Sequence, residues 1–205
     1  MSQSFDPETM DFYAGDMTRY AEESMRWKPW GHIEAFMKKL PEGAHILDLG
    51  CGAGRDAKEF LENGLRVTAC DGSPAMADIA GQRTGLDVQV VEFSSMAWDR
   101  AFDGVWASAS LLHVPRPALA GILAKVRAAL KPGGLLYASF KAGDKDGRDG
   151  LGRYYNYLDP GFLADAFARS GAWEDLLILE RDGSSYGGEP TKWLHAFANR
   201  VEATE

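Results

Sequence analysis

The period of the hydrophobic positions changes several times along the chain. Asp6-Pro7 is a helix start, an N-cap acid followed by proline in the first turn, and it opens an aromatic-rich segment running from Phe12-Tyr13-Ala14 to Tyr20-Ala21. From Pro29 to Leu40 the apolar residues Ile33, Phe36, Met37 and Leu40 recur at spacings of three and four, one face of a helix, and Pro41-Glu42-Gly43 stops it. Beyond Gly43 short apolar runs alternate with helical stretches. His45–Leu49 is predicted as a strand, followed by a glycine cluster and a helix from Arg55 to Asn63 closed by Gly64. The unit repeats with a strand over Leu65–Cys70, a helix capped by Ser73-Pro74 and reaching Gln82, and a third strand over Asp87–Phe93. Phe102–Ala109 is a fourth strand, and a helix from Pro117 to Leu130 follows it. Lys131-Pro132-Gly133-Gly134 ends that helix and launches a fifth strand, Leu135–Phe140. Strands alternating with helices of about 10 to 15 residues predict a parallel sheet covered on both faces.

Lys141–Asp159 breaks this rhythm with interleaved glycines and charges and is predicted as a long functional loop. A helix over Pro160–Ser170, ended by Gly171, leads to two strands, Trp173–Glu180 and Lys192–Ala198, joined by a turn-rich stretch over Asp182–Gly188. With no helix between them these last two are antiparallel. The total is seven strands, an α/β chain expected to form one domain over residues 1–205, with 1–42 a helical segment before a sheet core at 43–205.

The formal charge of −8 over 205 residues repels a phosphate backbone, so a protein that grips long nucleic acid is not expected. Two cysteines, Cys51 and Cys70, do not make a disulfide scaffold. The first residues lack a basic stretch followed by an apolar core, and no apolar run approaches the ~18 residues that span a bilayer. A cytoplasmic protein without membrane partners is the expectation.

The chemistry concentrates at the first strand-to-helix crossover, Asp48-Leu49-Gly50-Cys51-Gly52-Ala53-Gly54, where bare backbone can approach a ligand and amides can face an anion. A nicotinamide fingerprint, G-x-G-x-x-G, does not fit: the glycines fall at 50, 52 and 54, Arg55 stands where the third glycine belongs, and an acid lies two residues before the first. Asp71 ends the second strand, 17 residues after Gly54, placed to accept hydrogen bonds from ribose hydroxyls. Glu92-Phe93 comes out at the same carboxyl edge, where ligands of open α/β sheets bind.

Ile46–Gly54, then Val67–Ser73, then Phe102-Asp103-Gly104-Val105, then Leu130–Gly134 resemble in order the motifs of class I S-adenosylmethionine-dependent methyltransferases, and among them the small bacterial tellurite-resistance-like and general small-molecule enzymes. The resemblance implies a Rossmann-like, seven-stranded, mostly parallel sheet of order 3-2-1-4-5-7-6 with strand seven antiparallel. It implies S-adenosyl-L-methionine as cofactor, S-adenosyl-L-homocysteine as product, and no metal. By the same analogy Gly50, Gly52 and Gly54, with Cys51 among them, border the methionine part, and Asp48 supports its amino end. Asp71, beside Gly72, takes the ribose; Glu92 with the Phe93 amide takes the adenine; Ser108 lines the cofactor cleft. A tyrosine-bearing N-terminal helix, with Tyr13, Arg19 and Tyr20, is the expected lid.

His32, His45 and His195 have ordinary structural explanations. His113 follows the fourth strand, where the transferred methyl should sit, and is the candidate catalytic base. Lys141, Arg148, Arg153, Tyr154, Tyr155, Tyr157 and Lys192 are candidates to surround the acceptor. The function expected is methyl transfer to an oxygen, nitrogen or sulfur of a small molecule, by a monomer or homodimer. A non-catalytic S-adenosylmethionine-binding regulator is the alternative, and a dehydrogenase on a related fold a further one. A nucleic-acid methyltransferase is disfavoured: Ser108-Ala109-Ser110-Leu111 stands where amino-group DNA enzymes carry Asn/Asp-Pro-Pro-aromatic, and no Pro-Cys nucleophile is present.

Overall fold

The computed structural model describes residues 6–15, 22, 31–185 and 187–201. In chain order the elements are α1 (Pro7–Gly15), α2 (His32–Met37), β1 (His45–Leu49), α3 (Arg55–Glu62), β2 (Arg66–Asp71), α4 (Pro74–Thr84), β3 (Gln89–Val90) and β4 (Phe102–Ala107). Then come α5 (Leu119–Ala129), β5 (Leu130–Lys141), β6 (Gly147–Arg148), β7 (Tyr154–Tyr155), α6 (Pro160–Ser170), β8 (Trp173–Ser184) and β9 (Pro190–Arg200).

Seven of these strands form one sheet of order β3-β2-β1-β4-β5-β9-β8, while β6 and β7 pair as a separate ribbon. Without the ribbon strands the order is 3-2-1-4-5-7-6. Pairing is parallel through β5, and β9 runs antiparallel to both β5 and β8. The central strand β1 is buried from Ile46 to Leu49, as a parallel strand covered on both faces must be.

Local chemistry explains the boundaries. Ser73 Oγ accepts the Met76 amide at the start of α4, with Pro74 in its first turn, and Gly85 ends the helix at φ 75°. Asp159 caps α6 through the Phe162 amide at 2.9 Å. Alternation along the strands divides the core. Ile46, Trp106, Tyr137 and Phe197 join α2 residues Ile33 and Phe36 on one face. Leu47, Val105, Leu136 and Ala138 meet Leu123 and Val126 of α5 and Leu163 and Phe167 of α6 on the other.

Five expectations need correction. The third strand is only Gln89–Val90, both exposed at the sheet edge, and Phe93–Ser95 is a 3₁₀ turn. The second helix is described only over His32–Met37. The segment Lys131–Gly134 lies inside β5 as a bulge: Leu130 already pairs with Phe102, and Gly104 next pairs with Leu135. The stretch read as one long loop after β5 contains the ribbon β6–β7, and the final hairpin is longer than expected, Ser184 pairing with Pro190. In the bulge, the ribbon and the hairpin long-range pairing overrode a local turn signal. Among the described residues no helix is long and apolar enough to cross a membrane.

Candidate active site

The crossover after β1 places the glycine loop at the carboxyl edge of the sheet. Gly50 and Cys51 both donate backbone hydrogen bonds to the Cys70 carbonyl at 2.9 Å, tying the loop to β2. Gly50 has φ 74°, and a Cβ there would lie 2.5 Å from the Ser110 Cβ, so only glycine lets the two backbones approach this closely. Asp71 completes the loop from β2: its carboxylate accepts the Gly52 amide and the Ser73 amide, each at 2.9 Å. Burial raises its pKa, while these amides and that of Gly72 oppose the rise.

Two cavities flank this loop. The larger, about 190 Å³, takes in Asp48, Gly50, Cys51, Gly52, Ser108 and His113, and extends to Tyr137, Lys141, Trp193 and His195. The smaller, about 90 Å³, is lined by Asp71, Gly72, Met76, Val91, Glu92 and Phe93, with Thr9, Met10 and Tyr13 of α1 closing over it. Tyr13, Gly50, Gly52, Ala109 and His113 line both, so the two halves meet at the loop.

Asp48 is buried, and its Oδ2 has no hydrogen-bond partner among the described residues. Burial and then the neighbouring Asp56 carboxylate push its pKa well up. An unpartnered buried carboxylate oxygen is costly and is rarely left so in a native protein. Burial also pushes the Cys51 thiol up and the Cys70 thiol up to about 12, so both are inert thiols here.

His113 sits in a 3₁₀ turn after β4. Its Nδ1 lies 2.6 Å from the Tyr154 carbonyl, which can only accept, so Nδ1 carries the proton and Nε2 is the bare acceptor. Tyr13 of α1 lies with its hydroxyl 3.1 Å from that Nε2 and therefore donates to it. Burial, with the charges of Arg153 and Lys141, lowers the His113 pKa to about 4, against the hydrogen bond to Tyr154. The ring is neutral at pH 7. Ala109, two residues past β4, holds φ 51° with its amide donating to Ser139 Oγ at 2.8 Å, an unusual backbone held at the point where the cavities join.

The fold thus brings Asp48, Gly50, Cys51, Gly52, Asp71, Gly72, Glu92, Phe93, Ser108 and His113 around two joined cavities. Gly54 is not among their lining: it is the left-handed N-cap of α3, where a Cβ would press on Thr84 and Ala80 at 2.9 and 3.1 Å. Its glycine serves helix packing. Tyr20 and Arg19 lie outside the described residues. Of the acceptor candidates, Lys141, Arg153 and Tyr155 reach the larger cavity. Arg148 instead pairs with Asp6 and Glu8, Lys192 with Glu180, and the Tyr154 hydroxyl bonds Asp146.

Sequence reasoning missed His32 and His195, read as structural, together with Trp106, Tyr137 and Asp56. His195 follows Trp193 at a spacing of two on β9, facing Tyr137, Ser139 and Lys141 at the same spacing on β5. That period-two polar and aromatic pattern was the available signal. His32 stacks on His195 at 4.0 Å, and Tyr137 stacks on Trp106 at 3.9 Å with its hydroxyl 2.8 Å from His195 Nδ1.

A family model described as a methyltransferase domain matches residues 46–134, the stretch that carries β1 to the bulge of β5 and both loop acids. That match covers less than half of the chain and lies within the sheet core. The chain is 29% identical over 159 residues to a ubiquinone biosynthesis O-methyltransferase of Xylella fastidiosa, a match covering 68% of the chain and 64% of that relative. The chain therefore spans just under two thirds of the length of such curated relatives. Among solved structures, a TehB-like methyltransferase from Corynebacterium glutamicum aligns with TM-score 0.66 at 22% identity, over 97% of this chain and all of that one. The 1,6-didemethyltoxoflavin-N1-methyltransferase of Burkholderia thailandensis aligns with TM-score 0.65 at 24% identity, over 91% and 80% of the two chains. These two likenesses show the fold alone.

Proposed function

We propose that the chain is an S-adenosylmethionine-dependent methyltransferase acting on a small molecule in the cytoplasm, as a monomer or homodimer, with residues 1–42 serving as a lid over the sheet core. The observation that carries this is the buried Asp48, its Oδ2 unpartnered among the described residues, lining a cavity that continues past a glycine loop to Asp71. The residues present fit the cofactor. Asp48 suits its ammonium or sulfonium charge; Gly50 and Gly52 leave room for its amino-acid end. Asp71 keeps acceptor capacity beyond its two amide bonds, since a carboxylate has about four lone-pair sites. Glu92 and Phe93 stand at the far end of the smaller cavity, where an adenine would lie.

When bound, S-adenosylmethionine supplies a methyl group on a sulfonium, open to in-line attack by an acceptor oxygen, nitrogen or sulfur. The chain's own residues align and desolvate. Alignment is worth about 7–11 kcal/mol, whereas a positioned base adds ~10²–10⁴-fold. His113, neutral and oriented by the Tyr154 carbonyl, presents Nε2 to take the proton from an acceptor hydroxyl in place of the Tyr13 hydroxyl. A thiolate or free amine needs no such base. The curated relative's name refers to O-methylation, which agrees with a base at this position.

The test is incubation of the purified protein with isotopically methyl-labelled S-adenosylmethionine and metabolite extracts. Label appearing in a small molecule only with the protein present supports the reading. Saturating S-adenosylmethionine that neither raises the melting temperature nor gives heat in calorimetry sinks it, and tight binding without labelled product in any extract leaves the regulator reading instead.

A further inference from the structure

We infer that the far half of the larger cavity is an acceptor subsite for a single planar aromatic ring bearing an anionic oxygen group, with Lys141 as the anchor of the anion. This rests on the methyl-transfer reading.

Lys141 ends β5 and is 4% exposed, yet lines the cavity. Its ammonium lies 3.6 Å from the centre of the Tyr155 ring and makes no ion pair among the described residues. The charges of Asp149 and Glu189 reach it without forming an ion pair, and Asp149 is engaged by Arg153 through Nε at 2.9 Å and an NH₂ group at 2.7 Å. The Tyr157 ring lies 5.9 Å away. Ring faces stabilise an ammonium less than water does, so a buried lysine held this way gains from a close anion. Burial, with the nearby Arg153 charge, lowers its pKa to about 8.

The other wall is aromatic. His32 stacks on His195 at 4.0 Å and Trp106 on Tyr137 at 3.9 Å, and all four rings line the cavity. Tyr137 and His195 are locked by their 2.8 Å hydrogen bond. A rigid wall of ring edges and faces favours an aromatic partner. The cavity, about 190 Å³, must also hold the amino-acid end of the donor at Asp48, so the acceptor it suits is a small molecule. His113 lines the same cavity, so a ring hydroxyl has a proton acceptor within it.

The test measures binding of 3-hydroxybenzoate, 3-hydroxybenzamide and 3-hydroxycyclohexanecarboxylate to protein saturated with S-adenosylhomocysteine, by calorimetry at pH 7. The expected result is that 3-hydroxybenzoate binds at least about tenfold more tightly than the amide and than the non-planar acid. Lys141→Met should lose the carboxylate preference while keeping S-adenosylhomocysteine affinity within about threefold; Lys141→Gln serves if that variant does not fold. In the wild type the preference should shrink as pH rises through about 8. Equal binding of benzoate and benzamide, or no benzoate binding at about 10 mM, overturns the proposal. A tenfold loss of S-adenosylhomocysteine affinity in Lys141→Met also overturns it, because the lysine would then hold the donor's carboxylate. Failure of wild type to bind S-adenosylhomocysteine is a different outcome and sinks the methyltransferase reading.

Discussion

Asp48 and His113 show how a buried titratable group trades stability for chemistry. Asp48 has a folded pKa raised above its unfolded value, so the native state holds a proton that the unfolded state gives up as pH climbs past about 4. Stability therefore falls as pH rises above about 4, and the buried carboxyl of Asp48 costs the apo protein at pH 7. Asp48→Asn should raise the melting temperature at pH 7.5 but not at pH 4, and weaken S-adenosylmethionine binding at least about tenfold, since charge-assisted hydrogen bonds contribute ~1.5–3 kcal/mol. Paired thermal scans and calorimetry check this; unchanged affinity would remove Asp48 from the site. His113→Ala should slow turnover of a hydroxyl acceptor ~10²–10⁴-fold with S-adenosylhomocysteine affinity nearly intact. Wild-type turnover in that variant leaves His113 a structural residue. At this scale the legible part was large. Asp71, Glu92 and His113 were readable because each follows a strand whose carboxyl end is set by the local pattern, whereas His32 and His195 were not, because nothing near either in the chain announces the other.

Among the elements, α1 depends most on what it touches. It has nine residues, short of the ~12–15 at which an isolated helix is even marginal, so tertiary contacts hold it. Asp6 supplies several of them. Its carboxylate accepts the Thr9 amide and hydroxyl at 2.9 and 2.8 Å and a bidentate pair from Arg148 at 2.9 and 2.7 Å. Thr9 Oγ in turn accepts the Tyr154 amide at 2.8 Å, and Met10 covers Gly72. Asp6→Ala removes both the cap, worth ~0.5–2 kcal/mol, and the tie to the ribbon. Amide exchange over residues 7–15 should then accelerate about fivefold or more, with β1 and β4 unchanged. Equal acceleration throughout would show that α1 is not a separable lid. The Asp6-Pro7 signal announced the helix; its docking partner, 142 residues away, had no local trace.

For the whole molecule, the acid side of the stability curve belongs to histidines. His113 and His195 are each held down to about 4, His195 by burial and then by the His32 and Arg181 charges. Their folded pKa values lie below the unfolded ~6.5, so the unfolded chain binds more protons between about pH 6.5 and 4, and the stability they contribute is lost as pH falls through that window. The melting temperature should drop from pH 6.5 to 5, and His195→Asn should flatten that slope. A slope identical in the variant would place the acid sensitivity elsewhere.

The amino-acid order alone determined the alternation of strands and helices, the glycine loop at the first crossover, the acid ending β2 and the antiparallel final hairpin. These are local properties, set by side-chain period, turn chemistry and capping over a few residues. Only the tertiary structure decided which side chains share a cavity. The register that sets Ser139 beside His195 and Lys141 beside Trp193, the stacking of His32 on His195 and the closure of α1 on His113 all join segments far apart in the chain. Such contacts are selected by burial and pairing summed over the whole sheet, which no short stretch of sequence contains.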